Sequence, residues 1–169
     1  MKKNRFVGRC LAFFLLAVLP SGVIISCTEK SEDIVKGKTI TEVIMENERF
    51  SILKDLMIYA KMSDGLRTGE VTFFAPDNAA FGRANIFSSS VLTAMPEDSV
   101  RKLINNHILG KQRLDYKSLK EEKKKAIGGK ELSITKTDSI FSVNRADIIL
   151  SDISAANGVI HIIDSLAVK

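Results

Sequence analysis

The sequence has no tryptophan, only two histidines and only two cysteines in 169 residues. Two cysteines are too few for a disulfide scaffold. Because Cys10 lies in a segment that we expect to be removed, a Cys–His catalytic pair or a Cys/His metal site lacks ligands. A glycine-rich phosphate loop and the His-Glu-x-x-His, Gly-x-Ser-x-Gly and Cys-x-x-Cys motifs are also missing. These absences predict a protein that is not an enzyme and that holds no cofactor or metal ion.

The two histidines are the remaining candidates for acid–base chemistry. His161 lies in the segment 159–163, Val-Ile-His-Ile-Ile, where alternation places it on the same strand face as two apolar side chains. His107 ends a helical stripe of apolar residues. A histidine in such a setting is more often a hydrogen-bonded packing residue than a base, and we predict packing for both. The adjacent acids Glu97 and Asp98 diverge on a helix, so they do not form a glycosidase-like pair.

The positive charge of the chain is unevenly distributed. The formal net charge is +5, but residues 1–26 contain four cations and no anion, which leaves a net charge of +1 for the remainder. A nucleic-acid-binding domain should carry its basic excess in the folded part. The run from Lys117 to Lys125 holds five lysines, two glutamates and no aromatic residue, which favours a solvated face or a protected strand edge over a nucleic-acid patch. We therefore predict no nucleic-acid partner.

The N-terminus has the pattern of an export signal. A basic segment, Met1 to Arg9, precedes the apolar run Leu11 to Leu19, which is too short to span a bilayer because that needs ~20 residues. The small residue Ser26 directly before Cys27 resembles a bacterial lipobox, which implies cleavage after Ser26 and acylation of Cys27. The alternative is an ordinary signal peptide with an incidental cysteine. We predict a signal peptide over residues 1–26, and a lipidated cysteine with a polar tether over residues 27–36.

Helical patterns precede strand patterns along residues 37–169, which predicts an α+β domain. Thr39 and Glu42 form a capping-box pattern, and Phe73 and Phe74 should point to opposite faces of one strand, so that at least one anchors the core. The helices are predicted to run from Thr39 to about Asn47, from about Ser51 to Lys61, over one turn at 77–81, and from Pro96 to near Gly110. The strands are predicted at 70–75, on either side of a two-residue turn at Gly128-Gly129, and at 140–143, 146–150 and 158–164.

Three segments, in order and at the right spacing, resemble the fasciclin domain family. The segment 72–81, Thr-Phe-Phe-Ala-Pro-Asp-Asn-Ala-Ala-Phe, is similar to the first family signature, and 157–164, Asn-Gly-Val-Ile-His-Ile-Ile-Asp, is similar to the second. The segment 103–110 resembles the histidine-containing stretch between them, although Asn106 stands where many members carry an aromatic residue. The resemblance covers roughly residues 37–169. It implies a compact β-sandwich-like wedge with helices packed along it, a role in cell adhesion or surface interactions, and no general catalytic activity. Together with the N-terminal pattern, it leads us to predict a bacterial lipoprotein with a single domain, whereas many members have tandem domains.

The resemblance also implies where a partner would bind. In adhesive animal relatives an Asp-Ile pair shortly before the second signature is tied to receptor binding, which points to Asp152 and Ile153 here. A histidine with aliphatic neighbours in the middle segment points to His107, Ile108 and Leu109. The alternative for the first pair is that Ile153 belongs to the core and Asp152 caps a turn.

Two classes of function remain open after these steps. The first is a lipid-anchored adhesion module at the outer membrane or cell surface, which binds a protein or glycan partner. The second is a non-catalytic accessory or ligand-binding component of an envelope complex. A shallow exposed apolar patch would favour the first class. A deep pocket lined by convergent polar groups would favour the second.

Overall fold

A computed structural model describes residues 37–62, residue 66 and residues 69–167 of the chain. These residues belong to one unit that extends from Val35 to Lys169. The predicted signal peptide, the lipidated Cys27 and the polar tether all lie outside the described residues. Among the described residues, no helix is both long and apolar enough to cross a membrane.

Short helices account for most of the first half of the described chain. They are α1 (Ile40–Glu46), α2 (Ser51–Tyr59), α3 (Asn78–Arg83), α4 (Ser90–Thr93) and α5 (Glu97–Asn105), with 3₁₀ turns at Glu48–Phe50 and Tyr116–Ser118. The local sequence determines where they start. Thr39 and Glu42 form the predicted capping box of α1, and Asp77 caps α3 by accepting the N–H of Ala80 at 2.9 Å. Pro96 is the N-cap of α5 and not its first helical residue.

The strands follow mainly in the second half and form a seven-stranded sheet within the described residues. They are β1 (Val71–Pro76), β2 (Ile108–Gly110), β3 (Glu122–Lys125), β4 (Glu131–Thr137), β5 (Ile140–Val143), β6 (Ala146–Ala155) and β7 (Gly158–Ile163). Their order is β2-β1-β7-β6-β5-β4-β3, with β1 and β7 parallel and the other neighbours antiparallel. The α+β prediction is confirmed.

Two tight hairpins connect β4, β5 and β6. Asp138 and Ser139 in the first turn, and Asn144 and Arg145 in the second, all have positive φ angles between 47° and 75°. Two consecutive residues with positive φ are typical of a type I′ turn, whose twist matches that of the antiparallel strands on either side. Asn144 and Asp138 are among the non-glycine residues that tolerate this conformation best.

Both faces of the β2-β1-β7 region are buried. Phe73 points to the helical side and packs in a cluster with residues of α1, α2 and α5, such as Leu56 and Ile104. Phe74 points to the other side and packs in a second cluster with Leu132 of β4 and Val143 of β5. Both phenylalanines are completely buried. The sheet therefore folds over so that β4 and β5 cover the face of β1 that the helices leave open, a sandwich-like arrangement.

The predicted two-residue turn at Gly128-Gly129 is wrong. A five-residue loop, 126–130, joins β3 and β4 and docks against the end of α5. There the side-chain oxygen of Asn106 accepts the N–H of Lys130 at 3.1 Å. A Cβ atom on Gly128 would lie 2.3 Å from that same oxygen, so glycine is required by the close approach.

Strand β6 is longer than predicted and contains a bulge. It continues to Ala155 and not to Leu150, with register shifts against β7 between Ile148 and Ile153. Asp152 lies in this irregular stretch with φ of 61°. Bulges bend a strand and re-aim side chains, which explains why simple alternation failed to predict the second half of β6.

Candidate functional site

His107 is held between the end of α5 and the C-terminal segment of the described chain. The N–H of Ala167 donates to Nε2 at 3.1 Å, so Nδ1 carries the proton and donates to the carbonyl oxygen of Leu103 at 2.9 Å. The side chain is 1% exposed, and burial lowers the pKa of His107 to about 4. Both nitrogens of the neutral imidazole therefore form hydrogen bonds with backbone groups, which agrees with the prediction that His107 is a packing residue.

The predicted contact group of His107, Ile108 and Leu109 needs correction. Ile108 and Leu109 lie in β2 and are fully buried, one in each of the two core clusters. A partner at the surface would touch none of the three side chains in this conformation. The resemblance supplied these positions, but the sequence did not reveal that β2 is covered on both faces.

His161 also forms hydrogen bonds with backbone groups through both of its ring nitrogens. Its Nδ1 accepts the N–H of Asp152 at 3.2 Å, so Nε2 donates to the carbonyl oxygen of Leu114 at 2.8 Å. The ring stacks on Phe74 with centroids 5.7 Å apart. Burial lowers the pKa of His161, and the carbonyl of Leu114 opposes that effect. Like His107, this histidine packs as a neutral ring and leaves no nitrogen for a metal or a substrate.

The Asp152–Ile153 pair is only partly available to a partner. Asp152 is exposed, but its Oδ1 accepts the N–H of Tyr116 at 2.7 Å and so fixes a neighbouring 3₁₀ turn. Ile153 is half-buried, pairs with Ile160 of β7 and packs against the first core cluster. These contacts agree with the structural alternative for both residues. Their role as a partner contact stays a prediction.

The helical side of the domain carries an exposed apolar patch, defined here as Ile58, Phe87, Val91 and Met95. Their exposed fractions are 52%, 79%, 54% and 42%, respectively. Two hydrogen bonds fix α4 along α2 and keep the patch in place. The hydroxyl of Ser89 donates to Asp55 at 2.8 Å, and that of Tyr59 donates to the carbonyl oxygen of Met95 at 2.8 Å.

A polar groove of about 1150 Å³ lies between β4, the β5–β6 turn, the end of α3 and the C-terminal segment. We call it the basic groove because, among the described residues, its lining has four cations, Arg83, Lys123, Lys130 and Arg145, and one carboxylate, Glu131. Ser133 and Thr135 of β4 add hydroxyl groups to the lining.

Side-chain hydrogen bonds fix the walls of the basic groove. The amide nitrogen of Asn144 donates to the carbonyl oxygens of Ala167 at 2.9 Å and Glu131 at 3.1 Å, which ties the C-terminal segment to β4. Arg83 forms an ion pair with Asp164 and also donates to its carbonyl oxygen at 2.8 Å. Hydrogen bonds and an ion pair therefore hold the walls of the groove in fixed positions.

Neither the apolar patch nor the basic groove was predicted from the sequence. The lysine run did include Lys123, and we interpreted it as a solvated face. The other cations of the groove are far from it in sequence, and only the fold brings them together. Within the described residues, no group of three or more His, Cys, Asp or Glu side chains could hold a metal ion.

Comparison with known proteins places the chain in a family. A family model described as "Fasciclin domain" matches residues 48–169. The chain belongs to the fasciclin domain family. Protein sll1483 of Synechocystis sp. is 31% identical over 147 residues, which cover 82% of this chain and 81% of that protein.

Two similar proteins come from animals. The transforming growth factor-beta-induced protein ig-h3 of rabbit is 28% identical over 139 residues, which cover 76% of this chain and 19% of that protein. A solved structure of a FAS1 domain pair from the insect cell adhesion molecule Fasciclin I superposes with a TM-score of 0.64 and 14% identity, over 78% of this chain and 51% of that one. At that identity the structural likeness shows the fold alone.

The family signatures of this fasciclin domain form one end of its sheet, from the edge strand β2 to β7. The three segments that carry the resemblance supply β1 and α3, the end of α5 with β2, and β7, and these strands are neighbours. Asn157 fixes the start of β7, because its Oδ1 accepts the N–H of Ile40 at 2.8 Å and its amide donates to the carbonyl oxygen of Leu66. A Cβ on Gly158 would lie 2.0 Å from the carbonyl oxygen of Val71. The signatures therefore specify packing and not a surface site.

Family membership also bears on activity and location. Fasciclin domains are found in cell adhesion and surface proteins and are typically extracellular or secreted. They are generally non-enzymatic, adhesion-type domains. Fold and function are separable, so the partner of this chain has to be argued from its own surface.

Proposed function

We propose that this fasciclin domain is a lipid-anchored interaction module of a bacterial cell envelope or surface, which adheres to a protein or glycan partner. The observation that carries the proposal is the exposed apolar patch on the helical side. Its four side chains lie in or near α2 and α4, which the hydrogen bond between Ser89 and Asp55 joins, and a group of exposed apolar side chains is typical of an interaction site.

The composition of the patch suits a binding surface. Phe87 is the most exposed large apolar side chain of the described residues, at 79%. Burying an aromatic or aliphatic side chain of this size contributes about 1.5–3 kcal/mol, so Phe87 with Val91 and Met95 could supply much of a moderate affinity. Aromatic side chains are also over-represented among the residues that dominate binding energy.

The predicted lipid attachment at Cys27 suits the same role. A diacyl or triacyl anchor would hold the domain at a membrane, since several chains bind stably where one binds marginally. Residues 28–36 could extend the domain at most ~30 Å from the anchor, at ~3.3–3.6 Å per residue. An anchored domain close to the membrane suits adhesion between surfaces.

The test compares two double variants on cells that produce the protein. Phe87→Ser with Val91→Ser removes the centre of the apolar patch. Ile149→Ser with Leu150→Ser is the matched control, because these β6 side chains are 51% and 45% exposed outside the patch. Adhesion of protein-coated beads to producing cells, protease access on intact cells and thermal unfolding are measured together.

We expect the patch variant to lose bead adhesion with an unchanged melting temperature, while the control keeps it. We also expect added protease to remove the domain from intact cells. Equal adhesion by the two variants, or a domain that protease cannot reach, would refute the adhesion proposal.

A second candidate function is the accessory or ligand-binding role in an envelope complex. The basic groove favours this role, because it gathers charged and hydroxyl groups from separate chain segments in one concave surface. The Asp152–Ile153 pair is a further, independent candidate contact. Asp152→Ala with Ile153→Ser should lower adhesion without lowering the melting temperature if it binds a partner, whereas a large drop in melting temperature would assign the pair to the fold.

A further inference from the structure

The basic groove concentrates the positive charge of the domain. Residues 37–169 contain 19 cations and 17 anions, a net charge of only +2. Among the described residues, the groove lining has four cations against Glu131, and Asp164 beside it is paired with Arg83. A concave surface with an excess of positive charge attracts anionic ligands.

The individual cations differ in how far they are already neutralised. Lys123 pairs with Glu131 at 3.0 Å, but both side chains are more than 60% exposed, so water screens the pair strongly. Arg145 is exposed at the tip of the β5–β6 turn and forms no ion pair with another described residue. Its planar guanidinium can bind a carboxylate or a sulfate through two parallel hydrogen bonds.

The groove is too long for a single small anion. Its β4 wall runs from Glu131 to Thr135, which is about 14 Å at ~3.4 Å per residue. Cations stand at several places along it, since Lys123 pairs opposite Ser133 in the sheet while Lys130 precedes Glu131 and Arg145 lies at the neighbouring turn. This arrangement suits a chain that carries repeated negative charges.

The side chains that line the groove favour one class of polyanion over the others. Among the described residues, no aromatic side chain lines the groove, so they offer no stacking platform for nucleobases. The concave shape of the groove does not fit a flat membrane surface. The hydroxyl groups of Ser133 and Thr135 instead match the hydroxyl groups of sugars.

We propose that the basic groove binds an anionic polysaccharide, whose carboxylate or sulfate groups pair with Arg145 and Lys123 and whose sugar hydroxyls meet β4. The biological role of this binding rests on the second candidate function. Binding of this kind depends on ionic strength, because exposed charges are screened over about 8–10 Å at 0.1–0.15 M salt.

The experiment uses the full chain, purified in a non-ionic detergent, and titrates it with fluorescent polysaccharides at 50 mM and 300 mM salt. Polygalacturonate supplies carboxylates, dextran sulfate supplies sulfates, and dextran is the neutral control. Lys123→Gln with Arg145→Gln removes two groove charges. Lys102→Gln with Lys117→Gln makes the same charge change at exposed lysines that do not line the groove.

We expect the parent to bind at least one anionic polysaccharide and not dextran, more weakly at the higher salt concentration. The groove variant should bind about tenfold more weakly, and the control variant like the parent. Which of the two polymers binds more tightly identifies carboxylate or sulfate as the recognised group.

Several results would overturn the inference. These are no binding to either polymer, an equal loss in the two variants, displacement by millimolar inorganic phosphate, or tighter binding of poly-glutamate or of anionic lipid vesicles than of both polysaccharides. The groove variant leaves Phe87 and Val91 intact, so the polysaccharide inference and the adhesion proposal are tested separately. Lost polysaccharide binding with unchanged bead adhesion would separate the two surfaces.

Discussion

The buried histidines should make the stability of the domain fall in mild acid. His107 has a pKa of about 4 in the folded protein, against an ordinary value of 6.5 that applies to the unfolded chain. Between these values the unfolded chain binds a proton that the folded one does not. The stabilising contribution is therefore complete above about pH 6.5, is lost as the pH falls, and is fully lost below about pH 4.

The magnitude follows from the same two pKa values. Linkage predicts that His107 alone lowers the free energy of unfolding by about 2 kcal/mol between pH 7 and pH 5. Burial also lowers the pKa of His161, so its contribution has the same sign. Few other groups titrate between pH 7 and pH 5, because the chain has only two histidines and carboxyl groups ordinarily titrate at lower pH.

Urea unfolding, followed by circular dichroism at half-unit steps from pH 7 to pH 5, measures this effect. With a denaturant slope of ~1–3 kcal/mol per molar urea, the midpoint should fall by roughly 1 M or more over the range. His107→Gln keeps an acceptor for the N–H of Ala167 but cannot be protonated. It should be less stable than the parent at pH 7 and lose about 2 kcal/mol less between pH 7 and pH 5.

Two results would refute this reasoning. One is a parent midpoint that does not change between pH 7 and pH 5. The other is an undiminished pH dependence in His107→Gln. Proton NMR of the ring hydrogens of the parent gives an independent check, because the His107 signal should show a neutral imidazole at pH 5.5.

Three further predictions test the anchor, the core and the contact between β1 and β7. Cys27→Ala should move the protein out of the membrane fraction and abolish incorporation of labelled fatty acid, and a variant that still sediments with membranes would contradict lipidation at this residue. Phe74→Ala should lower the free energy of unfolding by ~3–5 kcal/mol, because the ring is completely buried, and a loss of 1 kcal/mol or less would contradict its place in the core. Gly158→Ala should cost more than about 2 kcal/mol, because the new Cβ would overlap the carbonyl oxygen of Val71, whereas Gly37→Ala, with its nearest contact at 3.8 Å, should change the melting temperature little.

The sequence predicted best the features that depend on near neighbours in the chain. The capping box of Thr39 and Glu42 is confirmed, because its donors and acceptors lie within one helical turn. The opposite orientation of Phe73 and Phe74 is also confirmed, because side chains alternate along any strand. We expected at least one of the two in the core, and the structure buries both.

The misses depend on contacts between distant segments. The loop at Gly128 is longer than a two-residue turn because Asn106 and the end of α5 hold it, which no local signal indicates. The surface position implied for Ile108 and Leu109 is wrong because β4 and the helices cover both faces of β2. The basic groove was missed for the same reason, since its four cations come from α3, β3, the loop before β4 and the β5–β6 turn.

The family signatures are buried, so family membership indicates the fold of this chain but not its partner. Gly158 and Asn157 are buried and hold the sheet together, so selection for the fold alone is enough to require them. Side chains that meet a partner must be exposed, and neither Phe87 nor Arg145 belongs to a signature segment. Two fasciclin domains can therefore share every signature and bind unrelated partners. For this chain, the partner has to be sought with the apolar patch and the basic groove, and a relative with the same signatures but neither surface should fold alike and bind differently.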